Sequence, residues 1–176
     1  MNCEKIKNSV RNIPDFPISG IQFKDVTTLF KDAEILRELV EGLCEMYKDK
    51  RITKVVGIES RGFILGPLLA FRLNAGFVPI RKPGKLPAAT FEENYEKEYG
   101  FDAIQIHQDA LNADDIVLLH DDLLATGGTM NAAVNLIRKF NPRKIYVNFL
   151  IELEQLNGRS FFPSDIQVDS IVKYDI

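Results

Sequence analysis

The stretch Ile116-Val117-Leu118-Leu119-His120-Asp121-Asp122-Leu123-Leu124-Ala125-Thr126-Gly127-Gly128-Thr129 constrains the fold more than any other part of the chain. Four consecutive apolar residues leave no face for water, so they read as a strand buried on both sides. Two carboxylates end that strand, a turn of small residues follows, and Thr129–Phe140 has helical periodicity. The same pattern occurs earlier, where Lys54–Ile58 reads as a buried strand. It runs through Glu59-Ser60-Arg61-Gly62 into a helix over about Phe63–Arg72. Phe77–Ile80, Ile104–Ile106 and Ile145–Ile151 supply further strands. Strands alternating with helices predict an α/β fold, a mainly parallel central sheet flanked by helices. A chain of 176 residues suits one such domain.

Two regions stand outside this alternation. At the N-terminus, Ile6 and Val10 predict a short amphipathic helix, and Ile13-Pro14-Asp15-Phe16-Pro17 then excludes regular helix. Gly20–Phe23 reads as extended or irregular. Asp32 is placed to cap a helix whose apolar face is Ile35, Leu36, Leu39, Val40 and Leu43. From Lys82 to Gly100 no period is evident, and the segment holds Pro83, Pro87, four glutamates, Phe91, Tyr95 and Tyr99. So long a stretch reads as a lid or binding loop, in preference to a plain insertion or a hairpin.

Composition removes several function classes. The formal net charge of −3 and the lack of a basic block argue against nucleic acid and anionic membrane surfaces as partners. No apolar run approaches the roughly 20 residues that span a bilayer. Met1–Arg11 lacks a signal-peptide core, which predicts a cytoplasmic protein. Cys3 and Cys44, far apart, read as reduced thiols.

The loop after the strand predicts an anion site. Backbone N–H groups at a helix start are unpaired and carry the positive end of the helix dipole. Gly127 and Gly128 admit close approach, and Thr126 and Thr129 add hydroxyls. The lysine of the ATPase phosphate loop is absent. Asp121 and Asp122 would repel a bare phosphate. They fit a ligand that also offers sugar hydroxyls, or one that carries Mg²⁺. A ribose phosphate meets both demands. The rival reading is an ordinary turn beside a solvated Asp-Asp pair.

The string Asp121–Met130 resembles the ribose-phosphate signature of the type I phosphoribosyltransferases. Ile13-Pro14-Asp15-Phe16-Pro17, Glu59-Ser60-Arg61-Gly62-Phe63, Arg81-Lys82-Pro83-Gly84-Lys85-Leu86-Pro87 and Glu98-Tyr99-Gly100 occur in the order seen in the adenine-using branch of that family. The resemblance spans nearly the whole chain. It implies a hood over about residues 1–30, a lid over about 82–100, and transfer of adenine to 5-phosphoribosyl 1-diphosphate, giving AMP and diphosphate. It further implies Mg²⁺ held mainly by substrate, with at most a water-mediated link to Asp121 and Asp122, and a homodimer.

The resemblance assigns roles residue by residue. Ala125, Thr126, Gly127, Gly128 and Thr129 would hold the 5-phosphate, and Asp121 and Asp122 the ribose hydroxyls. Ser60, Arg61, Arg81 and Lys85 would face the diphosphate, and Lys82, in the same cationic block, has a solvated charge cluster as its rival reading. Phe23 and Leu123 would sandwich adenine, with Gln22 and Lys24 reading it through backbone. Glu98 would be the acid/base. His120 stands where an apolar residue is usual, Pro83 where a basic one is common, and Lys24 where arginine is common. Transfer to a 6-oxopurine, or a non-catalytic regulator that binds the same diphosphate, are the alternatives.

Overall fold

The computed structural model describes residues 1–96 and 100–175. At its centre lies a five-stranded sheet, all of whose pairings are parallel. Its strands are β3 (Lys54–Ile58), β4 (Gly76–Ile80), β7 (Ile116–Leu124), β8 (Lys144–Leu153) and β9 (Gln167–Tyr174), in the spatial order β4-β3-β7-β8-β9. A parallel sheet needs crossovers on its faces. Helix α4 (Gly62–Arg72) links β3 to β4, and α5 (Gly128–Arg138) links β7 to β8. Helix α3 (Ala33–Tyr47) precedes β3.

Both faces of the sheet are dry. Val117, Leu118 and Leu119 of β7 are each fully buried, and alternate residues enter different cores. Val117 and Leu119 join Ala133, Val134, Leu136 and Ile137 of α5 on one face. Leu118 joins Leu39, Leu43, Leu65 and Leu69 of α3 and α4 on the other. Each such side chain contributes roughly 1.5–3 kcal/mol of burial, so a charge at Leu118 or Leu119 would break the fold.

Helix α3 starts where its sequence dictates. The Asp32 carboxylate accepts hydrogen bonds from the N–H groups of Glu34 and Ile35 at 2.9 and 3.1 Å. Helix α4 lies unusually close to β3. A β-carbon on Gly57 would sit 2.9 Å from the Gly62 carbonyl oxygen, so glycine at 57 lets the start of α4 settle against the strand. That contact fixes where Arg61, the residue before α4, is delivered.

Two small hairpins flank this body. In the first, β1 (Arg11–Pro14) pairs antiparallel with β2 (Gln22–Asp25), between α1 (Cys3–Ser9) and α2 (Thr27–Phe30). In the second, β5 (Thr90–Glu96) pairs antiparallel with β6 (Phe101–His107). Part of the segment expected to be an irregular lid is therefore strand. Phe91, Glu93 and Tyr95 point inward while Glu92, Asn94 and Glu96 face water. The inward Glu93 disguised the alternation, and it is held by Lys139 at 3.0 Å and Asn135 at 3.3 Å. Arg81 and Gln105 exchange backbone hydrogen bonds at 2.9 and 2.7 Å, joining this hairpin to the end of β4.

Candidate active site

The strand order reverses between β3 and β7. The chain proceeds outward from β3 to β4 in one direction and from β7 to β8 and β9 in the other. Ligands of open parallel sheets bind beyond the carboxyl ends of the strands at such a reversal. The expected site residues on β7 and in the turns after β3 and β4 gather at that end. Glu59, Ser60, Arg61, Asp121 and Asp122 line a cavity of about 180 Å3. A neighbouring cavity of about 110 Å3 is lined by Leu123, Ala125, Thr126, Gly127, Gly128 and Thr129, among others.

The two aspartates are part of β7, which continues through them to Leu124 because β8 runs alongside as far as Leu153. They are thus sheltered, not at a solvated strand end, and Asp122 is only 3 % exposed. Arg61 Nε donates to Asp122 Oδ2, and the Asp122 N–H donates to Asp121 Oδ1 at 2.9 Å. Burial pushes the Asp121 carboxyl well above the usual range, and the adjacent Asp122 carboxylate adds to it. One guanidinium beside a buried Asp122 and a half-buried Asp121 leaves acceptor capacity for donors such as sugar hydroxyls.

His120, one residue before, is fully buried, with Nδ1 3.0 Å from Asn148 Oδ1. Burial lowers its pKa to about 4, so the ring is neutral. Nδ1–H donates to the amide oxygen, and Nε2 has no hydrogen-bond partner among the described residues.

Within Ala125–Thr129 the loop passes into α5 at Gly127, whose φ is +87° and which caps the helix with no side chain over its start. The first-turn N–H groups are therefore open, with no capping side chain over them. The loop is pressed against Gly158. A β-carbon on Gly127 would lie 2.6 Å from the Gly158 carbonyl oxygen, and one on Gly158 would lie 2.2 Å from that of Ala125. Gly158 carries no chemistry, so nothing in the sequence signals this role.

The cationic block after β4 is organised by Glu59. Arg81 spans both of its carboxylate oxygens at 3.2 Å each, and the Lys82 N–H donates to Oε2 at 3.0 Å. The Arg81 hydrogen bonds, then that of the Lys82 backbone, hold the Glu59 carboxyl below its usual range. Lys85 is exposed beside this group, and its carbonyl accepts from Arg81. Lys82 is not aimed at the cavity. Its ammonium contacts the Asp102 carboxylate and the Tyr95 hydroxyl, pinning the second hairpin. Sequence reasoning quoted Glu59 only as part of a motif; its position at the end of a buried strand was the available signal.

Gln22, Phe23 and Lys24 lie on β2. Phe16 folds back edge-on to Phe23 with ring centroids 5.1 Å apart. Asn12 bridges the flanking pair: its amide donates to Gln22 Oε1 at 2.7 Å and its carbonyl accepts from Lys24 Nζ at 3.0 Å. Glu98 and Tyr99 lie outside the described residues.

A sequence profile of the Phosphoribosyl transferase domain matches residues 26–166. An adenine phosphoribosyltransferase of Bacteroides fragilis is 68 % identical over 169 residues, covering 96 % of this chain and 95 % of that protein. One from Acidobacterium capsulatum is 51 % identical over 174 residues, 99 % and 96 % of the two chains. Among solved structures, adenine phosphoribosyltransferase from Rhodothermus marinus superposes with a TM-score of 0.91 at 48 % identity, covering 98 % of each chain. That of Saccharomyces cerevisiae, solved with adenine and an imino-altritol bisphosphate, gives 0.90 at 38 % identity over 96 % and 97 %.

Proposed function

The chain belongs to the phosphoribosyltransferase family, and from that premise we propose that it is an adenine phosphoribosyltransferase of purine salvage. The reaction joins adenine to 5-phosphoribosyl 1-diphosphate and releases AMP and diphosphate. The observation that carries this reading is the pair Asp121 and Asp122 on β7, set between Arg61 on one side and the Gly127 loop on the other.

The sugar carbon becomes electron-poor as its bond to diphosphate breaks, while charge builds on the leaving group. Ala125–Thr129 hold the 5-phosphate with first-turn N–H groups and the two threonine hydroxyls. Asp121 and Asp122 accept from the ribose hydroxyls and orient the ring. Ser60 and Arg61 meet the diphosphate, and Arg81 and Lys85 add positive charge held in place through Glu59. Phe23 and Leu123 enclose the base, and the backbone of Gln22 and Lys24 reads its edge. Glu98, assigned from its place in Glu98-Tyr99-Gly100, takes or polarises the proton of the attacking base.

Mg²⁺ fits this site as a passenger of the diphosphate. Among the described residues no group of three or more His, Cys, Asp or Glu side chains converges. The Asp121–Asp122 cavity nevertheless offers two carboxylates beside space of about 180 Å3. When bound, the ion neutralises charge on the leaving diphosphate.

The protein acts as a homodimer in this reading. Ile64, Leu68 and Phe71 form an exposed apolar stripe on α4, with Phe71 84 % exposed, on the helix that follows Arg61. Such a stripe calls for a partner surface. Free Cys3 and Cys44 are consistent with a cytoplasmic setting, and no described helix is long and apolar enough to cross a membrane.

Incubation with 5-phosphoribosyl 1-diphosphate, Mg²⁺ and a panel of adenine, hypoxanthine, guanine and xanthine tests the assignment. AMP from adenine alone is expected; nucleotide from a 6-oxopurine instead would overturn the choice of base.

A further inference from the structure

The strand assigned to base reading is poorly supported by its own sheet. Among the described residues strand β2 pairs only with β1, and a lone two-stranded hairpin is marginal in water. Beyond its chain connection to the buried Val26 and Leu29, its alignment over the main sheet depends on side chains that leave the hairpin.

Lys24 makes such a contact. Its ammonium lies 4.5 Å from the ring centroid of Tyr174, the last residue of β9, the edge strand of the main sheet. Lys7, at the C-terminal end of α1, places a second ammonium 5.2 Å from the same ring. The Tyr174 hydroxyl donates to the Lys7 carbonyl at 2.9 Å, which fixes the ring against that helix. On the hairpin side, Lys24 Nζ also donates to Asn12 Oδ1 at 3.0 Å. The lysine thus ties β2 both to its partner strand and to the main sheet.

Two like charges share this ring, so the arrangement is not mere charge pairing. What joins them is the face of one aromatic ring. The contact is half-buried, and burial together with the Lys7 ammonium draws the Lys24 amine below its usual range. The Lys24 ammonium is taken up by Tyr174 and Asn12, so it acts on the peptide groups of β2 by fixing where the strand runs.

We propose that Tyr174 is a positioning residue for adenine: its ring clasps Lys24 and so holds the backbone of β2 at the distance that base recognition requires. This rests on the base-reading role given above to Gln22, Phe23 and Lys24. It makes base affinity depend on a residue near the C-terminus that carries no reacting group.

Steady-state kinetics of the full chain test it, with each substrate varied in turn and thermal melting recorded alongside. Tyr174→Leu is expected to raise KM for adenine about five- to tenfold, the scale of one partly desolvated cation–ring contact. KM for 5-phosphoribosyl 1-diphosphate and kcat are expected to stay within about twofold. Tyr174→Phe keeps the ring face and is expected to restore most of the adenine affinity. Lys24→Met keeps the stem but not the charge, and is expected to reproduce the Tyr174→Leu effect; it decides the matter if Tyr174→Leu does not fold. An unchanged adenine KM in the folded variants would overturn the clasp. So would parallel changes in both KM values and kcat, which mark a general structural defect. Absence of AMP formation by the wild type would instead overturn the assigned reaction.

Discussion

The carbonyl oxygen of Gly158 lies where a β-carbon of Gly127 would be, 2.6 Å from that position. The Ala125–Thr129 loop is therefore shaped from outside, by a turn after β8, as well as by its own glycines. Gly127 also needs φ +87°, which a residue with a β-carbon rarely adopts. Gly158→Ala meets the Ala125 carbonyl at 2.2 Å and must displace the loop. It is expected to cost about 1–3 kcal/mol of stability. KM for 5-phosphoribosyl 1-diphosphate is expected to rise more than that for adenine. Melting curves and two-substrate kinetics check both effects.

Asp121 places a stability cost at the site. Its folded carboxyl titrates above the unfolded value because of burial and the Asp122 carboxylate. A raised acid favours the fold below the unfolded pKa, and that contribution is lost as pH rises through the folded pKa. At neutral pH, Asp121→Asn is thus expected to raise the melting temperature while lowering kcat/KM. A variant that is less stable and fully active would contradict the assignment.

His120 has the opposite linkage. An unfolded histidine binds a proton near pH 6.5, and the folded one only near pH 4. Between these values the unfolded state holds more protons, so acidification from 6.5 to 4 removes up to about 3 kcal/mol of stability. His120→Val is expected to remove this part of the pH dependence. Asp25 acts lower: its pKa is depressed to about 2 despite its burial, chiefly by the Arg11 hydrogen bond. The stability it contributes is present above its unfolded pKa of 3.8 and is lost as pH falls towards 2. Denaturant titrations across pH 2–7 separate the two windows.

Glu59 is expected to act through Arg81. Glu59→Gln keeps shape but loses the charge that Arg81 spans at 3.2 Å from each oxygen. A raised KM for the diphosphate substrate, about tenfold for one charge-assisted pair, is the expected result. Binding by calorimetry, without adenine, checks it.

Much of this was legible in the sequence because short-range rules decided it. Ile116–Leu119 is apolar enough to demand burial, and Asp32 caps α3 through its own carboxylate as its place predicts. Strand β9 was not predicted, because Asp169 and Ser170 interrupt its apolar pattern. Tyr47 and Arg159 satisfy those side chains from elsewhere in the fold. The same holds at the site. Gly127 announces itself next to a helix start, whereas Gly158 and Glu59 matter only through what long-range folding brings against them. Lys82 shows the converse, a cation that the sequence places near the diphosphate and the hairpin claims through Asp102 and Tyr95.

The central claim is that Asp121 and Asp122 orient a ribose on which adenine is the acceptor base. AMP formation from adenine and 5-phosphoribosyl 1-diphosphate, measured for the wild type and for Asp121→Asn/Asp122→Asn, tests it most directly. The account expects turnover by the wild type and a loss of at least about 100-fold in kcat/KM in a folded double variant, the scale of removing preorganised transition-state contacts. Undiminished turnover in the double variant would contradict it.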